Sequence, residues 1–130
     1  LRNLFNRYAD CLVAQIFQSV ACNAVHTIEQ RAAKWLIATI ERTGECEVPL
    51  TQEQLASMLG VGRRYVSRVI SRLRTKEIMR TRRGRMEIRS SEGLRALSCD
   101  CDDQVRAHFD RILQGVYVPE AEGEICDGGN

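Results

Sequence analysis

Two short helical patterns joined by a tight glycine turn constrain the fold of this chain most strongly. The first lies in LTQEQLASML and places Leu55, Met58 and Leu59 on one side; the second lies in RRYVSRVISRLR and repeats its apolar residues at three- and four-residue steps. Gly60 ends the first helix in a conformation that few other residues tolerate, and a new helix begins near Arg63. Two short helices joined in this way are typical of a helix-turn-helix.

Local signals extend the motif towards the N-terminus. Thr51 with Gln54, and Thr27 with Gln30, have the capping-box pattern that starts a helix, and Gly44 is a natural helix terminator. These signals predict a helix over residues 28–43, followed by ECEVPL as a connector or a short strand. The inward stripe of that helix is expected to be Ile28, Ala32, Trp35, Leu36 and Ile40.

After the motif the pattern changes from helical to alternating. Ile78 begins a short strand, Arg83-Gly84 marks a turn, and Met86 and Ile88 alternate with charged neighbours, which predicts a two-stranded hairpin, or wing. A short capped helix is predicted from Ser91 and another over residues 102–114. The acidic, glycine-rich end PEAEGEICDGGN lacks core residues and is predicted to be disordered.

Residues 1–25 predict a long helix without interior glycine or proline. A continuous apolar seam runs along it, and a second apolar strip lies beside the seam, formed by Leu4, Val13 and Phe17. A helix that is apolar on two sides needs two neighbours, one of which could be a copy of itself. The predicted dimer interface along the seam is Phe5, Tyr8, Leu12, Ile16 and Val20.

Charge is distributed unevenly, although the net charge is only +2. Residues 51–90 hold eleven Lys and Arg against three Asp and Glu, a net charge of +8, whereas residues 1–50 are neutral and residues 91–130 carry −6. A solvated helix face is the ordinary explanation of a charge run, but three acids offset few of eleven bases. Such a basic block is typical of a site for a polyanion.

The six cysteines do not form a recognisable pattern. Cys11 and Cys22 lie in the apolar helix, where a thiol behaves as a small hydrophobe. Cys99 and Cys101 form C-x-C, which is tighter than the usual C-x2-C half of a zinc site. We therefore predict a reduced, cytosolic protein without a disulfide framework and without a metal site. A metal or redox role for Cys99 and Cys101 is the lesser alternative.

The start of the chain and its hydropathy exclude other classes. No apolar run approaches about 18 residues, so no membrane span is expected. The chain begins with neither Met nor a secretory leader, so we expect a fragment of a longer protein. Among the residues there is no nucleophile–base arrangement, no paired carboxylates and no phosphate-cradling loop, and we predict neither an enzyme nor a catalytic residue.

The second helix of the motif presents arginines away from its apolar stripe. Arg63 and Arg64 lie in its first turn, and Arg68, four residues after Arg64, shares the outward face. In helix-turn-helix proteins this end of the helix enters the major groove, where arginine can donate two hydrogen bonds to guanine. Tyr65 and Ser67 flank the same face. The predicted wing adds candidates for phosphate contacts, namely Arg80, Arg82, Arg83 and Arg85.

At these residues the chain resembles a known family. QRAAKWLI and LTQEQLASMLGVGRRYVSRVISRLRTKEIMRTRRGRMEI, with ACNAVHTIEQR upstream and GLRALSCDC downstream, are similar to the C-terminal half of Crp/Fnr-type transcription regulators over about residues 1–101. The resemblance implies a mainly α fold with a small β-hairpin wing. It also implies a dimerisation helix at 1–25 and a winged helix-turn-helix at 26–101. The rest of the chain, 102–130, is assigned from its own residues to a C-terminal helix and a disordered acidic tail.

The resemblance further implies partners and site residues. Such regulators bind double-stranded DNA as homodimers, with RNA polymerase as a candidate further partner. Arg63 and Arg68 fall on positions that contact DNA, and Thr51 and Gln52 on positions that touch phosphates. Arg64 departs from the pattern, because well-known members carry a glutamate there, which can accept from cytosine whereas arginine cannot.

The expected function is that of a sequence-specific DNA-binding regulator, the output half of a sensor. The strands of an effector-binding domain are missing from this chain, so no cofactor is expected in it, and a cyclic nucleotide or other effector would bind the missing domain. The alternative is a winged helix used for protein–protein contact without DNA. The +8 block favours DNA, because a protein-binding winged helix rarely needs it.

Overall fold

Helices dominate the part of the chain that the structure, a computed structural model, describes: residues 1–115 and Cys126. Three short strands complete the described elements. In chain order these are α1 (Arg2–Val25), α2 (Ile28–Thr43), β1 (Glu47–Val48), α3 (Gln52–Leu59), α4 (Arg63–Thr75), β2 (Met79–Arg82), β3 (Arg85–Ile88), α5 (Ser91–Leu97) and α6 (Cys101–Ile112). The predicted mainly α fold with a β wing is confirmed.

Capping side chains set the starts of α2 and α3. The Thr27 hydroxyl accepts from the Gln30 N–H at 3.2 Å, and the Gln30 side-chain oxygen accepts from the Thr27 N–H at 2.9 Å. Thr51 and Gln54 repeat both bonds, at 3.1 and 2.9 Å. Gly60 then closes α3 with a φ of 67°, in the left-handed region. Both predicted capping boxes are confirmed, and α2 has the bounds that they predict.

The core of the helix-turn-helix lies between α2, α3, α4 and the strands. Leu36, Leu55 and Leu73 are at most 1 % exposed. Two residues predicted to face inward do not. Trp35 lies at the edge of the buried stripe of α2, and the Lys34 ammonium is 5.6 Å from its ring centroid. Met58 faces outward, because the inner side of α3 is formed by Leu55, Ala56 and Leu59.

The wing is part of a three-stranded antiparallel sheet with the strand order β1-β3-β2. The predicted hairpin is β2 with β3, and Gly84 turns between them with a φ of 67°. The segment ECEVPL contributes a strand, β1, in which Val48 lies opposite Met86 on β3. Because both side chains are buried, this pairing attaches the wing to the helical core.

A disulfide joins Cys46, just before β1, to Cys126. The prediction of a chain without disulfides was therefore wrong. Cys126 is buried, and its carbonyl accepts from the Ser91 N–H at 3.2 Å, so the disorder predicted for the end of the chain does not hold at this residue. The rest of that end, residues 119–125 and 127–130, lies outside the described residues. With 80 residues between them, the two cysteines carry no local signal of their pairing.

The described residues divide into two compact units. The winged unit contains Thr27–Cys99 with Cys126, and the α1–α6 unit contains Leu1–His26 with the residues from Asp100 to Gly115. In the winged unit, Gly93 of α5 packs closely, because an added Cβ would lie 3.1 Å from an Ile78 carbon.

In the α1–α6 unit the two helices pack along one side of α1. The Arg7 guanidinium donates to the Ile112 carbonyl oxygen at the C-terminal end of α6, over 2.7 Å from Nε. The rings of Tyr8 and Phe109 meet edge to face with centroids 6.3 Å apart. Cys11 is fully buried. No helix among residues 1–115 is long and apolar enough to span a membrane.

Candidate nucleic-acid interface

Helix α4 separates an apolar inner side from a cationic outer side. Its inner side is fully buried and consists of Val66, Val69, Ile70 and Leu73. The residues between them face solvent because a helix repeats every 3.6 residues. All five residues predicted here as DNA contacts are exposed: Arg63, Arg64, Tyr65, Ser67 and Arg68.

The N-terminal end of α4 is electropositive. Gly62 is its N-cap and supplies no side-chain hydrogen bond, and the first turn has no acidic residue. The first N–H groups of a helix lack intrahelical acceptors and carry partial positive charge, so this end favours an anion. Arg64 and Arg68 stand one turn apart, and neither forms an ion pair with any described residue.

Arg63 has an acidic neighbour. Its guanidinium lies 2.8 Å from the Glu53 carboxylate on α3, and the two side chains are 65 % and 72 % exposed. An ion pair this exposed stabilises a protein by about 0–1 kcal/mol. Arg63 can therefore exchange Glu53 for a phosphate at little cost.

Thr51 and Gln52 present donors at the start of α3. Thr51 Oγ1 accepts from the Gln54 N–H, which leaves its own hydroxyl proton available. The Gln52 side-chain oxygen accepts from the Ser67 hydroxyl at 2.8 Å, which leaves the Gln52 amide protons available to an acceptor such as phosphate. Ser67 has donated its only hydroxyl proton, so towards DNA it offers acceptor lone pairs.

The wing arginines differ in their ion pairs. Arg82 lies 3.5 Å from Glu87, and Arg85 lies 3.1 Å from Glu47, in both cases with an exposed guanidinium. Arg83 is exposed beside Gly84 at the turn and has no ion-pair partner among residues 1–115. The turn therefore carries a positive charge without an ion pair among the described residues, as does Arg80 on β2, which is also exposed.

An open cleft of about 400 Å³ brings together predicted site residues from three elements. Its lining includes half of the predicted DNA contacts: Thr51, Gln52, Arg63, Arg82 and Arg85. The other half, Arg64, Tyr65, Ser67, Arg68 and Arg83, lies outside this lining. The start of α3, the start of α4 and the wing therefore share one surface depression.

A second open cleft, of about 500 Å³, lies beside β2. Arg74, Arg80 and Arg89 line it together with Glu77. Neither Arg74 nor Arg89 was predicted from the sequence as a site residue. Both belong to the +8 block, which is the only feature of the sequence that marks them as candidates. Because they are 15 residues apart, nothing in the sequence indicates that they line the same cleft.

Comparisons with known proteins agree with this geometry. Residues 30–97, from the first turn of α2 to the end of α5, match the family model described as a Crp-like helix-turn-helix domain. No curated protein sequence matches the chain.

Two crystal structures are similar to part of the chain. A transcriptional regulator of the Crp/Fnr family from Eubacterium rectale is 21 % identical with a TM-score of 0.58, over 72 % of this chain and 41 % of that one. The Thermus thermophilus catabolite activator protein is 20 % identical with a TM-score of 0.47, over 69 % and 44 %. The chain thus spans about two-fifths of the length of the solved chains that it matches.

Proposed function

Because the chain belongs to the Crp-like helix-turn-helix family of DNA-binding transcription regulators, we propose that it binds a specific double-stranded DNA sequence as a homodimer. The observation that carries the proposal is the outer side of α4. Arg64 and Arg68 are exposed there, without ion pairs among the described residues, at the uncapped end of the helix. Proteins of this family are typically not enzymes.

The chemistry of this side suits the edges of bases. An arginine in the major groove can donate two hydrogen bonds to O6 and N7 of guanine, which discriminates against another base by about 1–3 kcal/mol. Arg64 and Arg68 lie one helical turn apart on one face, so both can be directed into one groove. Arginine has no acceptor, and Arg64 therefore favours guanine over the cytosine that a glutamate would prefer.

The surrounding donors suit the DNA backbone. Thr51 and Gln52 offer protons at the start of α3, and Arg63, Arg82 and Arg85 line the same cleft. Phosphate contacts fix the register of a protein on DNA but carry no base information. We assign these five residues, with Arg83 at the turn of the wing, to phosphates. Tyr65 and Ser67 flank the arginines at the groove, Ser67 as an acceptor.

The exposed apolar side of α1 supports a homodimer. Phe5, Ile16 and Val20 are 75 %, 63 % and 62 % exposed, and Tyr8 and Leu12 continue the same seam. A row of large apolar side chains along a helix is stabilised when a second helix covers it. A symmetric dimer would present two α4 helices to half-sites about one turn of DNA, roughly 34 Å, apart.

The expected further partner, effector and location of the whole regulator stay predictions. RNA polymerase is an expected partner, and an effector such as a cyclic nucleotide is expected to act through a separate sensor domain. A cytoplasmic location follows from the proposed DNA binding, because a regulator must share a compartment with its promoter.

Selection from a random duplex pool, followed by fluorescence anisotropy on the selected duplex, tests the proposal. If about six phosphates are neutralised, log K should fall against log salt with a slope near −5. Replacing both Arg64 and Arg68 by Ala should weaken binding by at least about 30-fold, as the loss of two bidentate contacts requires. Lys76→Ala is the control, because it removes an exposed charge at the C-cap of the same helix, about 12 Å along the axis from Arg68 and about 18 Å from Arg64.

The control should stay within about threefold of the parent protein, since a distant surface charge contributes little at moderate salt. Failure of every pooled duplex to bind at low salt would refute DNA binding. Equal losses for the double variant and for Lys76→Ala would refute the assignment to the outer side of α4.

A further inference from the structure

Three side chains of the α1–α6 unit bring metal-binding atoms together. Cys22 lies in the last turn of α1, His26 is the C-cap of that helix, and Cys101 is the first residue of α6. Their ligand atoms all lie within 4.8 Å of one another. The Cys101 sulfur is 3.3 Å from Nδ1 of His26. Neither the helix-turn-helix nor the proposed dimer seam uses any of the three.

Helix geometry explains how two of these groups meet. Cys22 and His26 are four residues apart, so they share one face, and the His26 N–H donates to the Cys22 carbonyl at 3.0 Å as the last bond of α1. Because α6 begins at Cys101, its thiol enters the same space from the other helix. Cys22 and Cys101 are buried, at 0 % and 2 % exposure, and His26 is half-buried.

We propose that Cys22, His26 and Cys101 bind a single Zn²⁺ ion, with water in the fourth position of a tetrahedral site. Two thiolates and one imidazole, with the fourth position open, are one of the ligand sets that proteins use for zinc. Each thiol loses its proton to solvent as it binds the ion.

The distances suit one ion. With Zn–S bonds of about 2.3 Å and Zn–N bonds of about 2.0–2.1 Å, tetrahedral ligand atoms stand roughly 3.5–3.8 Å apart. The 3.3 Å between Cys101 and His26 is close to that value, and the 4.8 Å limit requires a contraction of only about 1 Å. An iron–sulfur cluster places its ligands on different irons, so its cysteine sulfurs do not converge on one point.

Ordinary packing explains this grouping less well. A buried thiol can act as a small hydrophobe, as Cys11 does on the same helix. Burial, with a further contribution from Asp10, raises the pKa of the Cys11 thiol, which keeps it neutral in an apolar setting. A hydrogen bond between the Cys101 thiol and Nδ1 of His26 accounts for that pair, but it does not account for the Cys22 sulfur within 4.8 Å of both atoms. An ion that all three groups coordinate does.

The ion would connect the C-terminal end of α1 to the N-terminal end of α6. At the other end of the pair, Arg7 already connects α1 to the last turn of α6 through the Ile112 carbonyl. Zinc binding would therefore stabilise the α1–α6 unit at the end that lacks this hydrogen bond. Because the ligand set exists only when the unit is folded, binding adds to its stability.

Metal analysis of the full chain, purified with a reductant and dialysed against Zn²⁺, tests the proposal. We expect about one zinc per chain, the content of a single site. Titration with Co²⁺ should produce the intense visible absorption of a tetrahedral, thiolate-rich site. Cys22→Ser and Cys101→Ser should each weaken Co²⁺ binding by at least about 100-fold, beyond the 10–100-fold typical of residues that only support a ligand.

Cys11→Ser is the matched control, since it removes an equally buried thiol from the same helix, and it should keep the metal. Cys46→Ser should also keep it, which excludes zinc held by the thiols of a reduced disulfide.

Measurements on the unaltered chain do not depend on whether the variants fold. Zn²⁺ should raise its melting temperature relative to a chelator-treated sample, because a ligand of the folded state stabilises that state. Absence of bound zinc and of a cobalt spectrum would overturn the proposal. So would equal metal loss in Cys11→Ser and Cys22→Ser, or a disulfide between Cys22 and Cys101 in protein purified with zinc.

Discussion

The Ser67 hydroxyl donates to the side-chain oxygen of Gln52 over 2.8 Å and so joins α4 to the first residue of α3. The bond fixes which atoms of each side chain remain available. Gln52 keeps two amide protons, whereas Ser67 keeps only lone pairs. Ser67 therefore orients the Gln52 amide, and it is itself exposed on the outer side of α4.

We predict that Ser67 and Gln52 are energetically coupled in DNA binding. Ser67→Ala and Gln52→Ala should each weaken binding, and the loss in the double variant should be smaller than the sum of the two single losses by a coupling of about 0.5–1.5 kcal/mol. Anisotropy titrations of the four proteins on one duplex measure it. Ser71→Ala, an exposed serine one turn further along α4, is the control and should be nearly neutral. Additive losses of binding free energy would show that Ser67 and Gln52 act independently.

Arg64 and Arg83 should differ in their effect on specificity. Arg64→Ala should relax the preference for guanine at one symmetric position in each half-site, by about 1–3 kcal/mol, and leave the other positions intact. Arg83→Ala should weaken binding to all duplexes about equally and lower the salt slope by about one unit, because a phosphate carries no sequence information.

A panel of single-base operator variants, measured with both proteins, distinguishes these outcomes. A uniform loss for Arg64→Ala would mean that Arg64 contacts phosphate only. The bulky neighbour Tyr65, 53 % exposed on the same helix, could force that arrangement by filling the groove. Tyr65→Ala in the Arg64→Ala background would then reveal whether the tyrosine is the cause.

Ile16→Asp should abolish the proposed dimer. Ile16 is 63 % exposed on the isolated chain, and a partner helix that covered it would bury an unpaired charge at a cost of several kcal/mol. Sedimentation over a concentration series measures the shift to monomer. Ala21→Asp, an exposed alanine about 140° around the same helix, is the control and should leave the dimer intact. A parent chain that stays monomeric at high concentration would contradict the dimer.

Glu77→Gly should stabilise the protein. Glu77 connects α4 to β2 with a φ of 58°, a conformation that costs a side-chain-bearing residue about 1–2 kcal/mol and glycine almost nothing. Glycine also has greater conformational entropy in the unfolded chain, which offsets part of this benefit. A net gain of about 0.5–1 kcal/mol in the free energy of unfolding should remain. Lys76→Gly, at a φ of −81°, should be destabilising by a similar amount, and urea unfolding of both variants provides the comparison. Destabilisation by Glu77→Gly would exclude backbone strain at this position.

The sequence predicted the elements whose signals are local. Thr27 with Gln30 sets the start of α2, and Gly44 ends it, so that helix lies where these residues place it. The turn at Gly60 and the amphipathic pattern of α4 likewise predicted the exposed arginines of the candidate site. Each of these signals acts within about four residues of the feature it sets.

Contacts between distant residues could not be predicted in this way. The disulfide of Cys46 with Cys126, the pairing of β1 with β3 and the packing of α6 on α1 each join segments far apart in the chain. Their partners are selected by tertiary packing, which leaves no periodic trace in a single sequence. The inward position predicted for Trp35 was wrong for a related reason. Whether a residue at the edge of a helix's apolar stripe is buried depends on which other elements pack beside it.

The group formed by Cys22, His26 and Cys101 was likewise not predictable from the sequence. A C-x-C pair is too closely spaced to indicate zinc, and the sequence analysis predicted no metal for that reason. Cys22 and His26, separated by one helical turn, stand 75 residues or more before Cys101. Spacing within one segment therefore could not reveal that ligands from α1 and α6 converge.

The Cys46–Cys126 disulfide makes most of the winged unit part of one covalent ring, which includes the helix-turn-helix and the wing. A protease that cuts the exposed turn at Arg83 would open this ring without separating its pieces. Nicked protein would therefore migrate as one species on a denaturing gel until a reductant is added, and only then as two fragments. In a ring of this kind, a broken backbone can keep both halves of the proposed DNA-binding surface on one molecule.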